Sequence, residues 1–319
     1  MKEFDFIKNY LYRQQKDSDV LLGIGDDAAI VRPRLGWDLC CSSDMLLKDR
    51  HFFADVSPAD LAYKILAVNI SDMAAMGAVP RWALLSAGLP ELNPNWLNEF
   101  CDSLFTLAKQ FGVTLIGGDT TKGDLAFNVT IIGELPQGKA LRRDAAQMGD
   151  DIWVSGTVGL AAAALNCHWK NIELPDAVFT LCEHARLRPK PRVDLGKALL
   201  PFAHAAQDIS DGLAQDIGHI LKASDVGADI FADCVPTLPA LREILDKGVL
   251  YDYMLAGGDD YELLFTAPKS CREAVLAAGR MSNTPVTRIG KINDSGRLNL
   301  LDANGHHITL TSLGFDHFG

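Results

Sequence analysis

Runs of strand-forming residues alternate with apolar residues at helical spacing through both halves of this chain, a pattern that restricts it to a mixed α/β architecture. Each half also carries Gly-Gly-Asp directly after an apolar residue, at Ile116-Gly-Gly-Asp119 and Ala256-Gly-Gly-Asp259, as two related α/β units would. In the first half, Ser57-Pro58-Ala59-Asp60 combines an N-cap, a proline at the first helical position and an acid in the first turn. Leu61, Ile65, Val68 and Met76 then continue an apolar face as far as Gly77. A second helix opens at Asn93-Pro94, carries Leu97, Phe100, Leu104 and Phe111, and stops at Gly112. Strands are predicted over 82–87, 113–116 and 127–132. The polar turn Gln147-Met-Gly-Asp-Asp151 interrupts the pattern and sets a boundary that gives domains 1–148 and 149–319. Beyond it we predict strands at 152–155 and 262–266, helices at 160–165, 213–221 and 272–278, a segment of proline and basic residues at 188–192, and short strands toward the C-terminus.

A length of 319 residues is about twice the ~150-residue prior for one domain, in keeping with that division. With 48% apolar and 22% charged residues, each half can bury a core, which excludes a disordered or fibrous chain. Acids outnumber bases by 41 to 30 and no Lys/Arg stripe occurs, so a nucleic-acid partner is not expected. The seven cysteines are odd in number, contain no Cys-x-x-Cys and mostly sit within apolar stretches, so they read as reduced core residues. Met1-Lys-Glu-Phe-Asp-Phe6 places acids where a signal peptide is basic, and no apolar run reaches the ~18 residues of a membrane span. A cytoplasmic protein without membrane contact is expected.

Six stretches put acids beside glycine or serine, and the reading places them at element ends. They are Gly23-Ile-Gly-Asp-Asp27, Ser42-Ser-Asp44, Ser71-Asp72, Gly117-Gly-Asp119-Thr-Thr121, Asp208-Ile-Ser-Asp211-Gly212 and Gly257-Gly-Asp-Asp-Tyr-Glu262. One such stretch alone is an ordinary turn or cap. Six of them suggest convergence on a crevice where elements terminate. Two carboxylates ~4 Å apart repel by roughly 4 kcal/mol at an effective dielectric of about 20, so a cluster must take up protons or hold cations. Oxygen-only donors from Asp and Ser suit Mg²⁺, which completes its shell with substrate phosphates, and phosphoryl transfer is the chemistry implied. Asp72, flanked by Ile70 and Met73 inside a helix, is the acid hardest to explain structurally. Two other nucleotide motifs fail. Gly133-Glu-Leu-Pro-Gln-Gly138-Lys139-Ala140 lacks the P-loop hydroxyl at Ala140 and has Pro136 inside the loop. The dinucleotide-like Gly23-Ile-Gly25-Asp-Asp-Ala28 would set two acids against a pyrophosphate, and Pro33 interrupts the helix that should follow. Protein-kinase signatures are absent.

Together with His51-Phe52, Ala67-Val-Asn-Ile-Ser-Asp72-Met-Ala-Ala-Met-Gly77 and the terminal Gly314-Phe-Asp-His-Phe318, these motifs resemble the thiamine-monophosphate kinase family, in order and over nearly the whole chain. That family belongs to the aminoimidazole ribonucleotide synthetase superfamily. The resemblance implies two mixed α/β domains, dimerisation through the N-terminal sheet to give a homodimer, ATP binding without a P-loop, and a C-terminal domain that completes the active site. It implies that Asp27, Ser42, Ser43, Asp44, Asp72, Asp119, Asp208 and Asp211 hold several Mg²⁺ ions, with no catalytic residue separate from the metal site. Gly118, Asp119, Arg143 and Ser210 would contact ATP, the co-substrate, and His51, Asp259 and Phe315 would contact thiamine monophosphate. Where Asp259 stands the family usually has Glu, and where Ser43 stands it often has Thr. Each assignment has a plainer counterpart: His51 as a surface histidine, Arg143 as a salt-bridge partner beside Asp144, Phe315 as a packing residue. The implied activity is Mg²⁺-assisted, ATP-dependent phosphorylation of thiamine monophosphate to thiamine diphosphate. Another ATP-using enzyme of the superfamily and a non-catalytic Mg-ATP sensor are the alternatives; a selenophosphate synthetase would need a reactive cysteine near the N-terminus, whereas Cys40 lies in an apolar strand.

Overall fold

The computed structural model describes residues 3–14 and 17–316. They form two compact units: one runs to Met73 and resumes over Ala78–Lys139, the other comprises Ala74–Gly77 and the chain from Ala140 onward. Both are mixed α/β, as expected.

In the first unit a short helix α1 (Glu3–Phe6) is followed by the hairpin strands β1 (Val20–Leu22) and β2 (Ile30–Val31), then β3 (Trp37–Leu47), α2 (Pro58–Met76), β4 (Val79–Leu89), α3 (Pro94–Phe111), β5 (Thr114–Lys122) and β6 (Ala126–Pro136). The four-stranded sheet has the order β3-β6-β4-β5, with β4 and β5 parallel across α3 and the other pairs antiparallel. The predicted signals explain the helices. The Asn93 side chain accepts from Asn95 N and Trp96 N, and Gly112 closes α3 at φ 68°, a left-handed position that glycine takes without steric cost. Leu97, Phe100, Leu104 and Leu107 are the buried face of α3. Ala62, Ile65, Ile70 and Met73 of α2 are fully buried, and a Cβ on Gly133 of β6 would lie 2.7 Å from Met73 Sδ, so glycine lets helix and sheet close up.

The second unit contains β7 (Asp151–Ser155), α4 (Leu160–His168), α5 (Asp176–Leu187), α6 (Val193–Leu199), β8 (Ala206–Asp208), α7 (Leu213–Ser224), β9 (Gly227–Phe231), α8 (Pro239–Ile244), α9 (Lys247–Ala256), β10 (Leu263–Ala267), α10 (Arg272–Met281), β11 (Val286–Asn293) and β12 (Leu298–Leu301). Its six-stranded sheet has the order β12-β9-β11-β7-β10-β8. Ile152 and Val154 of β7, Leu264 of β10, and Ile217 and Ile220 of α7 belong to one core cluster.

One expectation changes. The acidic motifs do not all sit at element ends: Ser42, Ser43 and Asp44 lie within β3, and the strand predicted at 113–116 runs on through Gly117-Gly118-Asp119 to Lys122. Gly-Gly reads as a turn in sequence, but a Cβ on Gly118 would stand 1.8 Å from Leu85 O, so β5 needs glycine there to lie against β4.

Candidate active site

In the first unit, the pleat of β3 sorts its polar residues. Ser42 and Asp44 pair across the ladder with Ile131 and Val129, whereas Ser43 pairs with Thr130, so Ser43 points to the opposite face. The Ser42 hydroxyl donates to Asp72 Oδ2 at 2.6 Å, and Asp44 N donates to Asn69 Oδ1 at 3.1 Å. Asn69 and Asp72 stand three apart on α2 and therefore share the helix face turned to β3. Asn69 is itself held, its amide donating to Ile65 O at 2.9 Å. The Ser43 hydroxyl instead lies 3.0 Å from Thr130 Oγ1 and accepts from Asn128 Nδ2 at 3.0 Å. Gly118 and Asp119 are exposed on β5, and Asp27 is exposed in the turn between β1 and β2. His51 Nδ1 accepts from Leu47 N at 3.0 Å, an arrangement that requires the proton on Nε2. Burial, then Cys41 and Asp72, push the Cys40 thiol up to about 11, so it stays protonated and the reactive cysteine of a selenophosphate synthetase has no counterpart there.

In the second unit, two loops extend the β8·β10 ladder side by side. Ile209 N donates to Glu262 O at 2.9 Å, Tyr261 N to Ile209 O at 2.8 Å, and Asp259 N to Ser210 O at 2.7 Å. These bonds bring Asp208, Ser210, Asp211 and Asp259 into one loop pair. A Cβ on Gly258 would approach Ser210 O to 2.3 Å, and Asp259 and Tyr261 adopt φ 71° and 51°, left-handed positions that cost an ordinary side chain free energy. The C-terminal stretch joins the same turn: Phe315 N donates to Asp211 O at 3.0 Å, and Gln215 Nε2 donates to Phe315 O at 3.1 Å and to Asp211 Oδ2 at 3.2 Å. Phe315 is 51% exposed; His317 and Phe318 of that motif lie outside the described residues. Arg143 is exposed, with its carbonyl accepting from Ser224 Oγ at 2.8 Å, while Asp144 pairs with Arg142 rather than with Arg143.

Sequence reasoning missed the residues behind these loops. Asp216 on α7 is fully buried and accepts from Ser210 N, Asp211 N and Gly212 N at 3.0, 3.2 and 3.1 Å and from Gln207 Nε2 at 2.6 Å. Burial pushes its carboxyl up to about 7, opposed by the Gly212 and Asp211 N–H groups and assisted by Asp211 and Asp208. Asp260 accepts from Gly159 N at 2.9 Å, and desolvation drives it well above the usual carboxylate range. Glu262 receives the Arg192 guanidinium through Nε at 2.7 Å and also pairs with its Nη2 and with Ser155 Oγ. The one available signal was spacing, since Asp216 follows Gly212 by four residues and can reach back over the first turn of α7. Among the described residues no three His, Cys, Asp or Glu side chains gather as a metal-holding group, so the convergence of acids expected from the sequence is not seen as such a cluster.

The AIR synthase related protein family matches the chain twice, by its N-terminal domain over residues 25–135 and its C-terminal domain over residues 147–302. Thiamine-monophosphate kinase of Haemophilus influenzae is 41% identical over 324 residues, spanning 100% of this chain and 98% of the relative. The crystal structure of thiamine-monophosphate kinase from Stenotrophomonas maltophilia K279a superposes with a TM-score of 0.88 at 44% identity, covering 97% of this chain and 98% of that one. AaThiL complexed with AMPPCP and TMP superposes with a TM-score of 0.78 at 29% identity, covering 99% and 96%. Likeness that spans both units and every acidic motif leaves one assignment: the chain belongs to the thiamine-monophosphate kinase family, within the AIR synthase related proteins.

Proposed function

We infer that the protein transfers the γ-phosphoryl group of ATP to the phosphate of thiamine monophosphate, releasing ADP and thiamine diphosphate. The observation that carries this reading is the full-length likeness to thiamine-monophosphate kinases, among them AaThiL, whose complex holds AMPPCP and TMP, a donor analogue and an acceptor. An acceptor phosphate oxygen bonds to the γ-phosphorus as its bond to the β,γ-bridging oxygen breaks, and ADP leaves with the electron pair. A phosphate monoester has its second pKa near ~6, so the acceptor is mostly dianionic at neutral pH and needs no general base.

In this reading Asp27, Ser42, Ser43, Asp44, Asp72, Asp119, Asp208 and Asp211 are the oxygen donors for Mg²⁺, with Ser43 the least direct of them, because its hydroxyl turns to Thr130. A donor set of carboxylates and hydroxyls without thiolate or imidazole is the chemistry Mg²⁺ takes. When bound, the metal lowers the repulsion between two phosphate anions. The protein orients the carboxylates, most visibly Asp72 through the Ser42 hydroxyl. Gly118, Asp119, Ser210 and the exposed Arg143 contact ATP; the bare main chain at Gly118 allows close approach of a ligand. For thiamine monophosphate we assign His51, Asp259 and Phe315: the Asp259 carboxylate complements the permanent thiazolium charge, and the exposed Phe315 ring offers an aromatic surface to a cation.

The active form in this reading is a homodimer in the cytoplasm. The outward face of β3, an edge strand, presents Leu39, Met45 and Leu47 at 49%, 56% and 37% exposure, with exposed Cys41 among them, and an apolar edge of this kind calls for a covering partner. Its seven cysteines are free thiols, which suits a reducing compartment, although Cys41 and Cys234 are exposed and only Cys101 and Cys182 are buried as core residues; no helix of the described residues is long and apolar enough to cross a membrane. Incubation with ATP, Mg²⁺ and thiamine monophosphate, followed by product chromatography, should give Mg²⁺-dependent thiamine diphosphate and little product from free thiamine. A preference for free thiamine would overturn the reading, because the mechanism needs an ionised phosphate as nucleophile.

A further inference from the structure

Asp216 is fully buried and forms no ion pair among the contacts described above; its oxygens face main-chain N–H groups instead. Three consecutive donors, Ser210 N, Asp211 N and Gly212 N, converge on Oδ2, while Gln207 Nε2 from the middle of β8 binds Oδ1. Three successive N–H groups point to one atom only if the backbone curls around it, so the carboxylate dictates the shape of the turn that carries Ser210 and Asp211. A helix cap alone would engage one or two donors of the first turn. Gly212 supports the curl from the other side: it sits at φ 134°, and a Cβ there would meet Ala256 O at 2.8 Å.

We propose that Asp216 is a positioning residue for the phosphoryl-transfer site, holding the 210–212 turn so that Ser210 and the Asp211 carboxylate face the nucleotide and its metal. The proposal rests on the role given above to Ser210 and Asp211. It extends that role to a side chain that touches neither substrate. The same turn accepts Asp259 N at Ser210 O and Phe315 N at Asp211 O, so its shape also sets where the two second-unit groups assigned to thiamine monophosphate stand. An asparagine at 216 keeps the volume but loses the charge: with its N–H₂ toward the turn it opposes three N–H groups, and with its carbonyl there it offers them only a neutral acceptor and loses the bond from Gln207, so the turn is held less firmly either way.

The test uses the full-length protein and the Asp216→Asn, Gln207→Met and Asp211→Asn variants. Three quantities are read: steady-state rates with ATP and thiamine monophosphate, calorimetric affinity for AMPPCP in Mg²⁺, and amide exchange at 210–212. We expect Asp216→Asn to melt cooperatively, to lose roughly 10-fold or more in kcat and AMPPCP affinity, and to exchange faster at 210–212, the range typical of supporting groups around a metal site. Gln207→Met, which removes one donor and retains three, should move each quantity the same way by less. A folded Asp216→Asn with lower Tm but kcat and AMPPCP affinity within twofold of wild type would make Asp216 a helix cap and overturn the proposal. Should Asp216→Asn not fold, Gln207→Met decides by the same criteria. Asp211→Asn separates the two levels. Wild-type turnover there removes the site reading itself, and with it this proposal; loss there beside unaffected Asp216→Asn and Gln207→Met removes the positioning role alone.

Discussion

Asp72 is an acid set in the C-terminal part of α2 between fully buried Ile70 and Met73, and the hydroxyl of Ser42 holds its carboxylate. Replacing it by asparagine keeps an acceptor for Ser42 while removing the charge. Asp72→Asn should therefore lower kcat by roughly 100-fold or more, the scale of several kcal/mol of lost transition-state stabilisation, and shift Tm by less than about 3 °C. Steady-state rates at saturating Mg²⁺ beside a thermal melt check this, and a wild-type rate would take Asp72 out of the site. That acid stands out in the sequence because a charge inside an apolar helical run has few structural excuses, and its hold on Ser42 is what the fold adds. The facing of Ser43 was not legible, since adjacency in sequence hides the pleat that sends its hydroxyl to Thr130 while its neighbours turn to α2. Asp216 was invisible for a different reason: its partners are main-chain N–H groups, which any sequence supplies and only the fold gathers.

Among the elements, caps and spacing made α2 and α3 readable, as Ser57, Asn93 and the closing glycines mark their ends. The continuation of β5 through Gly117-Gly118 was unreadable, because only the closeness of β4 makes two glycines a strand rather than a turn. In the second unit, β7, α10 and β11 are tied through buried Asp151, whose carboxylate meets Arg272 Nη2 at 2.8 Å and Arg288 Nη1 at 3.3 Å. Burial works to raise this carboxyl, but the two guanidiniums outweigh it and hold Asp151 below the usual carboxylate range. Between that depressed value and ~3.9 in the unfolded chain, the unfolded state binds more protons, so the stability this group contributes is present above about pH 4 and is lost as pH falls. Asp151→Asn should cost about 2 kcal/mol at neutral pH and flatten the acid limb of Tm against pH. Both arginines are partly exposed and regain water, which keeps the loss below that of a fully buried pair. Melts from about pH 3 to 6 measure it; an unchanged acid limb would show that Asp151 is not the group that titrates.

For the molecule as a whole, sequence disclosed the mixed α/β architecture and the family's chemistry, while the covering of the outward face of β3 is a matter for solution measurement. Light scattering at micromolar concentration should return about twice 34.7 kDa, and Met45→Glu should bring it to 34.7 kDa with circular dichroism unchanged. A wild-type mass of 34.7 kDa would dismiss the dimer. The alternation along β3 has a consequence for inheritance. Its inward letters, Ser42 and Asp44, turn to α2 and in the proposed reading hold the metal, and its outward letters, Cys41, Met45 and Leu47, present the apolar face. Exchanging one outward letter leaves the inward ones in place, but inserting or deleting a single residue early in the strand would turn the carboxylate of Asp44 outward and drive methionine toward α2. Descent can therefore rewrite the spelling of this strand far more freely than its length.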